Sequence, residues 1–293
     1  MLAISQTSSG YYCLEWSSTE TGPRIVNCKH ISLSEDLESD GALSKLLGLI
    51  IPIQKEETQS ISITLNNNNY LISQLEYDSK IGAEKFINWY ENKILSKDFL
   101  DSYDLYYYKL YKQNTFLTLS IRKKIKNQLI DCTYSNGYNL LYLSADIFSA
   151  AVLVNQLNKF NEKDDYYVWK VGKNNYHYII HYINNEINTF LKLKKTSNNL
   201  KSIIEIGDKD SKSKILDFLY SILIKKKKFN SISNVFIYQT SKNYHKINKL
   251  LKIDKKNISL IDFTKISKEL KNHNLHTLNS FSENGISFWG IDV

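Results

Sequence analysis

The chain has little of what divides a polypeptide into separate modules: two prolines, Pro23 and Pro52, and ten glycines in 293 residues. No Gly/Ser-rich linker joins any two segments, which argues against a string of independent domains and leaves one large domain or two lobes. Cysteine is sparse too. Cys13, Cys28 and Cys132 are odd in number and set far apart among apolar or β-type residues, so they are expected as reduced packing residues and not as a disulfide frame or a zinc site. No apolar run reaches the roughly 18 to 20 residues a membrane helix needs. The opening, MLAISQTSSGYY, lacks the charged and apolar regions of a signal peptide, so the expected location is the cytoplasm. No Gly-x-Ser-x-Gly elbow accompanies the six histidines, which removes a serine-hydrolase triad.

What is present is ordinary core material, 42% hydrophobic residues, and a net charge of +8 carried mainly by scattered lysines. That charge raises nucleic acid or an anionic membrane as partners. The one dense run, Lys225 to Lys228, follows the apolar stretch Ile215 to Ile224 and reads as the cationic end of a helix facing water. Tyr103, Tyr106, Tyr107, Tyr108 and Tyr111 lie beside Lys109 and Lys112, an interleaving that could stack bases. Alternation instead places Tyr106 and Tyr108 on one face and Tyr107 on the other, as a two-sided strand requires, and exposed tyrosines suit a protein partner. No specific nucleic acid is expected. His177 and His181 share a strand face but lack a third ligand at zinc spacing, so satisfied or exposed histidines are expected there.

Periodicity gives an α/β protein. Leu2 to Gln6 and Tyr11 to Trp16 alternate around the Thr7-Ser8-Ser9-Gly10 turn as a hairpin, and Ile25 to Ile31 follows as a third strand. Leu43, Leu46, Leu47 and Ile50 have helical spacing. Gln59 to Leu65 and Tyr70 to Leu75 read as a second hairpin around Asn66 to Asn69, and Phe86, Trp89, Tyr90 and Ile94 share one face of a helix. Strands at 102–111 and 115–121, a helix from about 122 to 135, a strand at 139–144 and a helix at 145–160 complete a first lobe. A second lobe restarts with strands at 166–171, 176–182 and 186–193, then a helix at 210–226, a strand at 234–238, a helix at 244–251 and a strand at 258–261. The opening hairpin of the first lobe thus recurs in the second, the mark of an internal duplication.

Several strings, taken in order, resemble the PilM-like branch of the actin-like ATPase superfamily, relatives of FtsA and GspL. Leu2 to Trp16 aligns without a gap on that family's opening L-G-I-D-I-G-S-S-S-I-K-A-V-E-L, with Ser8, Ser9 and Glu15 matching. Phe86-Ile87-Asn88-Trp89-Tyr90-Glu91 is similar to its Ile-x-W-E helix, Asp101 to Leu105 to its D-Y-x-V strand, and Gly137-Tyr138 with Asp146 to Ala150 to its G-L and D-x-x-A. The resemblance implies a two-lobed actin-like (ribonuclease-H-like) fold: a first lobe at 1–160 with a small inserted α/β subdomain at about 36–115, and a second lobe at 161–293. It also implies a cytoplasmic scaffold of a type IV pilus or type II secretion platform. Such a scaffold would sit at the inner membrane through a partner, take the cytoplasmic tail of a PilN-like protein in a groove between first lobe and subdomain, and self-associate as a further option.

In that family two turns hold phosphate through backbone N–H groups, and a strand carboxylate orients Mg²⁺. Here Ser5 stands at the Asp position and Thr7 at the close-approach Gly, with Ser8 and Ser9 following. At the second turn Lys170 replaces the carboxylate while Gly172 is kept, and Gln239-Thr240 falls where a Gly-Gly pair would meet adenosine. A lysine can meet a phosphate as a point charge but cannot coordinate Mg²⁺. These eight residues read as a degenerate nucleotide site, so a pseudo-ATPase with no catalytic residue, metal or cofactor is expected. The alternative is an active ATPase or sugar-kinase-like enzyme using displaced ligands.

Overall fold

Apolar residues alternating on both sides of a short turn fold back as antiparallel strands, and both halves of the chain open in this way. The structure, a computed structural model, describes residues 1–7, 10–20, 22–33, 41–50, 59–160, 164–224, 232, 234–240, 245–253, 256–266 and 278–289. Numbering elements along the chain, β1 (Leu2–Thr7), β2 (Gly10–Thr19) and β3 (Gly22–Ile31) form an antiparallel meander. On the free side of β1, β4 (Gln59–Leu65) and then β8 (Tyr138–Ala145) add in parallel, giving the order β3-β2-β1-β4-β8. The second half repeats the plan. β9 (Asp165–Val171), β10 (Tyr176–Ile183) and β11 (Glu186–Lys195) form the meander, and β13 (Val235–Tyr238) and β14 (Ile258–Leu260) add in parallel beyond β9. A strand with no counterpart in the sequence reading, β12 (Leu200–Gly207), extends the far edge antiparallel to β11. The resulting six-stranded order is β12-β11-β10-β9-β13-β14.

The expected second hairpin is corrected. β4 does not pair with β5 (Tyr70–Glu76); it lies between β1 and β8 in the main sheet. The reason is burial. Ile61, Ser62, Ile63, Thr64 and Leu65 are all buried, so β4 is covered on both faces, as a strand in the middle of a parallel set must be. β5 instead joins β7 (Thr115–Arg122) and β6 (Tyr103–Lys109) in a separate sheet ordered β5-β7-β6. This sheet carries α2 (Ala83–Lys93) and α3 (Lys97–Ser102), so the small α/β unit begins at Tyr70 among the described residues, and the start expected near 36 falls outside them. On α2 only Phe86 is buried, packed with Tyr77 and Phe116. Trp89 and Ile94, expected on the same buried face, are 48% and 53% exposed.

One apolar core runs through the first lobe and into the face of β9–β11, while a second lies under α6 (Lys209–Leu219) and α7 (His245–Ile253) around Trp169 and Phe218. In the first lobe α1 (Ala42–Leu49) and α4 (Lys123–Ser135) pack together, and α5 (Asp146–Asn158) is buried along most of its length. Residues Ser282–Phe288 form a 3-10 turn. Assigned by position to the second lobe, this turn packs instead on α5 of the first. A Cβ on Gly285 would lie 2.3 Å from the Ser149 carbonyl oxygen and 2.5 Å from Leu153 Cβ, so the approach is close enough to demand glycine. The Lys225 to Lys228 run lies outside the described residues. No helix among those described is long and apolar enough to cross a membrane.

Candidate functional site: a polar interlobe cleft and an aromatic groove

Where the opening turns of the two lobes face each other, a cleft of about 310 Å³ is lined by Thr7, Asn66, Asn67, Asn68, Lys170, Gly172, Lys173, Tyr178, Lys192 and Thr240, among others. Four of the eight residues singled out in the sequence therefore meet there: Thr7, Lys170, Gly172 and Thr240. Ser5 and Gln239 are buried and are not part of the lining, and Ser8 and Ser9 lie outside the described residues. Thr7 turns its hydroxyl inward, donating to the Gly10 carbonyl at 2.9 Å. Gly172 is extended, at φ −83°, and owes its identity to space, since a Cβ would sit 3.0 Å from the Tyr178 ring. Asn67 Nδ2 donates to the Tyr178 hydroxyl at 2.7 Å, bridging the lobes, and the Asn66 side chain accepts from the Asn68 N–H at 2.8 Å. None of the described lining residues is Asp or Glu.

Lys170 decides the chemistry. Its ammonium reaches Asp146 Oδ2 at 2.6 Å and Glu283 Oε1 at 2.5 Å, with both carboxylates fully buried. Asp146 opens α5 and also accepts from the Tyr70 hydroxyl at 2.5 Å and the Ile147 N–H at 2.7 Å. Glu283 Oε1 also accepts from the Tyr238 hydroxyl at 3.2 Å. Burial alone would pull the lysine down, but the two carboxylates outweigh it and hold Lys170 above its ordinary value, so it is a cation at all physiological pH. Burial, opposed by Lys170 and assisted by Asp146, pushes the Glu283 carboxyl up to about 7. A divalent metal bound to a nucleotide needs hard, anionic oxygen ligands. Those present here are already engaged by an internal ammonium, so the residues of this cleft do not fit a metal-bound nucleotide.

Sequence reasoning placed Lys170 and missed its partners. Asp146 was visible as the single acid opening an otherwise apolar helix, DIFSAAVLV, which is the signal for a buried, paired carboxylate. Glu283, Tyr70 and Tyr238 carry no such local signal and meet only through the fold.

The second concavity is apolar. A groove of about 630 Å³ is bounded by Tyr107, Tyr108 and Lys109 of β6, Tyr142 and Ser144 of β8, Phe148 and Asn155 of α5, Tyr166 and Tyr182 of the second lobe, and Ile286 and Trp289. Tyr108 stacks on Phe148 with centroids 5.8 Å apart, and Phe148 on Phe190 at 6.2 Å. Tyr107 points to the opposite side, toward Phe116 and α2, where its hydroxyl donates to Glu91 at 3.0 Å. The two-faced reading of this tyrosine strand therefore describes it, and the groove draws on β6 of the small unit, on β8 and α5 of the first lobe, and on Tyr166, Tyr182 and Glu186 of the second lobe as well. β6 and β8 are each the last strand of their sheet, so each offers one edge without a strand partner among the described residues.

Both histidines read as satisfied have protein partners: His177 Nδ1 accepts from Trp169 Nε1 at 3.1 Å, and His181 Nδ1 lies 2.8 Å from Ser211 Oγ. Burial pushes the thiols of Cys13 and Cys28 up to about 12, which keeps them protonated and inert.

No protein-family model and no curated protein matches this sequence. Among solved structures, a chain of a PilM-PilN type IV pilus biogenesis complex superposes with a TM-score of 0.60 at 10% identity, over 97% of this chain and 96% of the other. A Bacteroides thetaiotaomicron protein with an actin-like ATPase fold and unknown function gives 0.42 at 12% identity, covering 88% and 89%. The cytoplasmic domain of EpsL, an inner-membrane component of the Vibrio cholerae type II secretion system, gives 0.42 at 12%, covering 81% of each. The two matching meanders, each extended by two parallel strands, agree with the first superposition over nearly the whole length: the chain has the two-lobed actin-like fold and resembles PilM in architecture.

Proposed function

We propose that this protein is a non-hydrolysing scaffold of a type IV pilus or type II secretion inner-membrane platform, and that it takes an extended cytoplasmic tail of a membrane protein in the aromatic groove. The observation that carries this reading is the groove itself. It joins two free strand edges, which can pair with an added strand, to a floor of aromatic rings, which can accept alternate side chains. Its lining carries one cation, Lys109, and one anion, Glu186, and so selects a tail with a few apolar anchors instead of a strongly charged one. The architecture shared with a chain of the PilM-PilN complex supports the assignment to such a platform, as does the pairing of Lys170 with two carboxylates, which removes the ligands that nucleotide hydrolysis would require. The protein would then reach the inner membrane only through its partner, from the cytoplasmic side.

The test is co-purification of the full chain with the membrane protein encoded next to its gene, followed by titration of that protein's cytoplasmic tail peptide. Saturable binding lost on Tyr108→Ala is the expected result. Recovery of nucleic acid alone at moderate salt, released at higher salt, would replace the scaffold with non-specific charge binding.

A further inference from the structure

The interlobe ion cluster and the groove are joined by one short piece of chain. Glu283 enters the cluster from the 3-10 turn, and Ile286 and Trp289, next along the same turn, form one wall of the groove. The turn is pinned at several points. Ser149 Oγ donates to the Glu283 carbonyl at 2.6 Å and accepts from the Ile286 N–H at 2.8 Å, while Asn284 Nδ2 donates to the carbonyls of Ala3 and Tyr12 at 2.8 and 3.1 Å. The Glu283 side chain is the only one of these contacts that carries a charge.

The charges in the cluster do not balance. One ammonium, at the edge of the cleft and 9% exposed, faces two fully buried carboxylates, which leaves one surplus negative charge when both acids are ionised. Burying an unpaired charge is costly, and the usual remedy is a proton. Asp146 is fully engaged, accepting from Lys170, Tyr70 and the Ile147 N–H. Glu283 has one oxygen, Oε2, with no hydrogen-bond partner among the described residues, so it is the natural seat of the proton. The groups facing it are Lys170 from β9, Asp146 from α5, Tyr238 from β13, Tyr70 from β5 and Tyr178 from β10. Burial raises all three tyrosines and the carboxylates hold up the lysine; of the groups whose proton affinity the site perturbs, Glu283 alone changes charge near neutral pH.

We propose that Asp146, Lys170 and Glu283 form a proton-dependent latch that positions the Ile286–Trp289 wall of the groove, so that the groove is set in place when Glu283 carries a proton and loosened when it does not. Glu283 is a positioning residue in this scheme and touches no ligand. The value of the latch for tail capture rests on the reading of the groove given above, whereas the latch itself does not. The direction follows from linkage. The docked turn binds the proton more tightly than the undocked one, so docking is favoured at low pH and weakens as pH rises through about 7. Between pH 6 and pH 8 the docking equilibrium is expected to fall about tenfold.

Amide hydrogen exchange on the free full-length protein reads this without any partner. Protection of Ser282–Phe288, corrected for the intrinsic pH dependence of exchange, is expected to fall about tenfold from pH 6 to pH 8. Strand β6, on the opposite wall, should not change. Glu283→Gln, a neutral isostere of the protonated acid, should give the pH 6 protection at both values. A turn held merely by packing would show no pH response in the wild type, and that outcome overturns the latch even if every variant fails to fold. The neighbouring-gene tail peptide then separates the two ideas. Wild-type affinity that falls in step with protection joins latch to groove; a latch that responds while the peptide binds nowhere leaves the latch standing and removes the groove reading; and peptide binding independent of pH while protection falls overturns the coupling.

Discussion

The ion cluster beside the polar cleft and the aromatic groove both use helix α5, the first through its opening residue and the second through its later turns, and they have been treated differently by the sequence. At the cleft, the helix start contributes a carboxylate, Asp146, that an internal lysine neutralises. Along the next turns, Phe148, Ala151, Val152 and Asn155 face the groove with nothing charged. The cleft thus spends its polar groups on the protein's own side chains, while the groove leaves Tyr108 and Trp289 exposed over a buried apolar floor. A buried charge network contributes mainly when intact and costs most when one member is removed; an exposed aromatic surface contributes little to stability and can contribute much to binding. The two concavities should therefore answer perturbation in opposite ways.

The sharpest break in that comparison is Lys170→Met. It strands two fully buried carboxylates and should lower unfolding free energy by about 3–5 kcal/mol, read as a shifted urea midpoint at unchanged slope. A loss under about 1 kcal/mol would show the cluster to be solvated and the contrast false. Next in size is the pH dependence of that same cluster. The folded value of Glu283 lies above its ordinary 4.5, at about 7. Its stabilising share is therefore complete below about pH 4.5 and lost as pH rises through about 7, an amount on the order of 3 kcal/mol. Because other carboxylates also titrate, the quantity to measure is the wild-type stability minus that of Glu283→Gln from pH 5 to pH 8, and a flat difference would contradict the assignment.

At the groove the expectation reverses. Trp289 is 54% exposed, so Trp289→Ala should leave the unfolding midpoint nearly unchanged while weakening tail-peptide binding by about 2 kcal/mol, some thirtyfold. Equal losses in stability and binding would make Trp289 a packing residue. The smallest expected effect is a null. Millimolar Mg-ATP should not raise the thermal midpoint, although a ligand present at a hundred times its dissociation constant would stabilise the fold by about 2.7 kcal/mol. A rise abolished by EDTA would restore the nucleotide site, and one indifferent to EDTA would point to Lys173 and Lys192 holding phosphate without metal.

Much of the fold was legible because period-2 and period-3.6 patterns are local: both meanders, α4, α5 and β13 follow from alternation and helical spacing alone. Partner choice is not local. Tyr70 follows β4 after only four asparagines, and nothing in so short a connection distinguishes a hairpin from a change of sheet; the deciding fact is that every described side chain from Ile61 to Leu65 is buried. β12 escaped notice because Lys201, Ser202 and Glu205 dilute its apolar residues, as an edge strand's do. The candidate site divided along the same line. Thr7, Lys170, Gly172 and Thr240 were singled out because each falls at a motif position of the resembling family, and the fold brings these four to one cleft. Glu283 sits on a turn that no periodic pattern marks, and its meaning comes from Lys170, 113 residues earlier in the numbering.

The hydrogen bond from Asn284 to the carbonyl of Ala3 spans 281 positions, and that from Trp16 to Ser287 spans 271. Contacts of such reach are made late, since the loop they close must first lose its freedom. During synthesis the first lobe would emerge early with α5 in hand but without the turn that seals it. Its apolar surface around Ser149 and Leu153 would stay open until the final stretch of described chain had left the ribosome. The first lobe is thus completed only by residues 271 and 281 positions later, and a polypeptide cut short ahead of residue 282 should be recognised by the cell as unfolded.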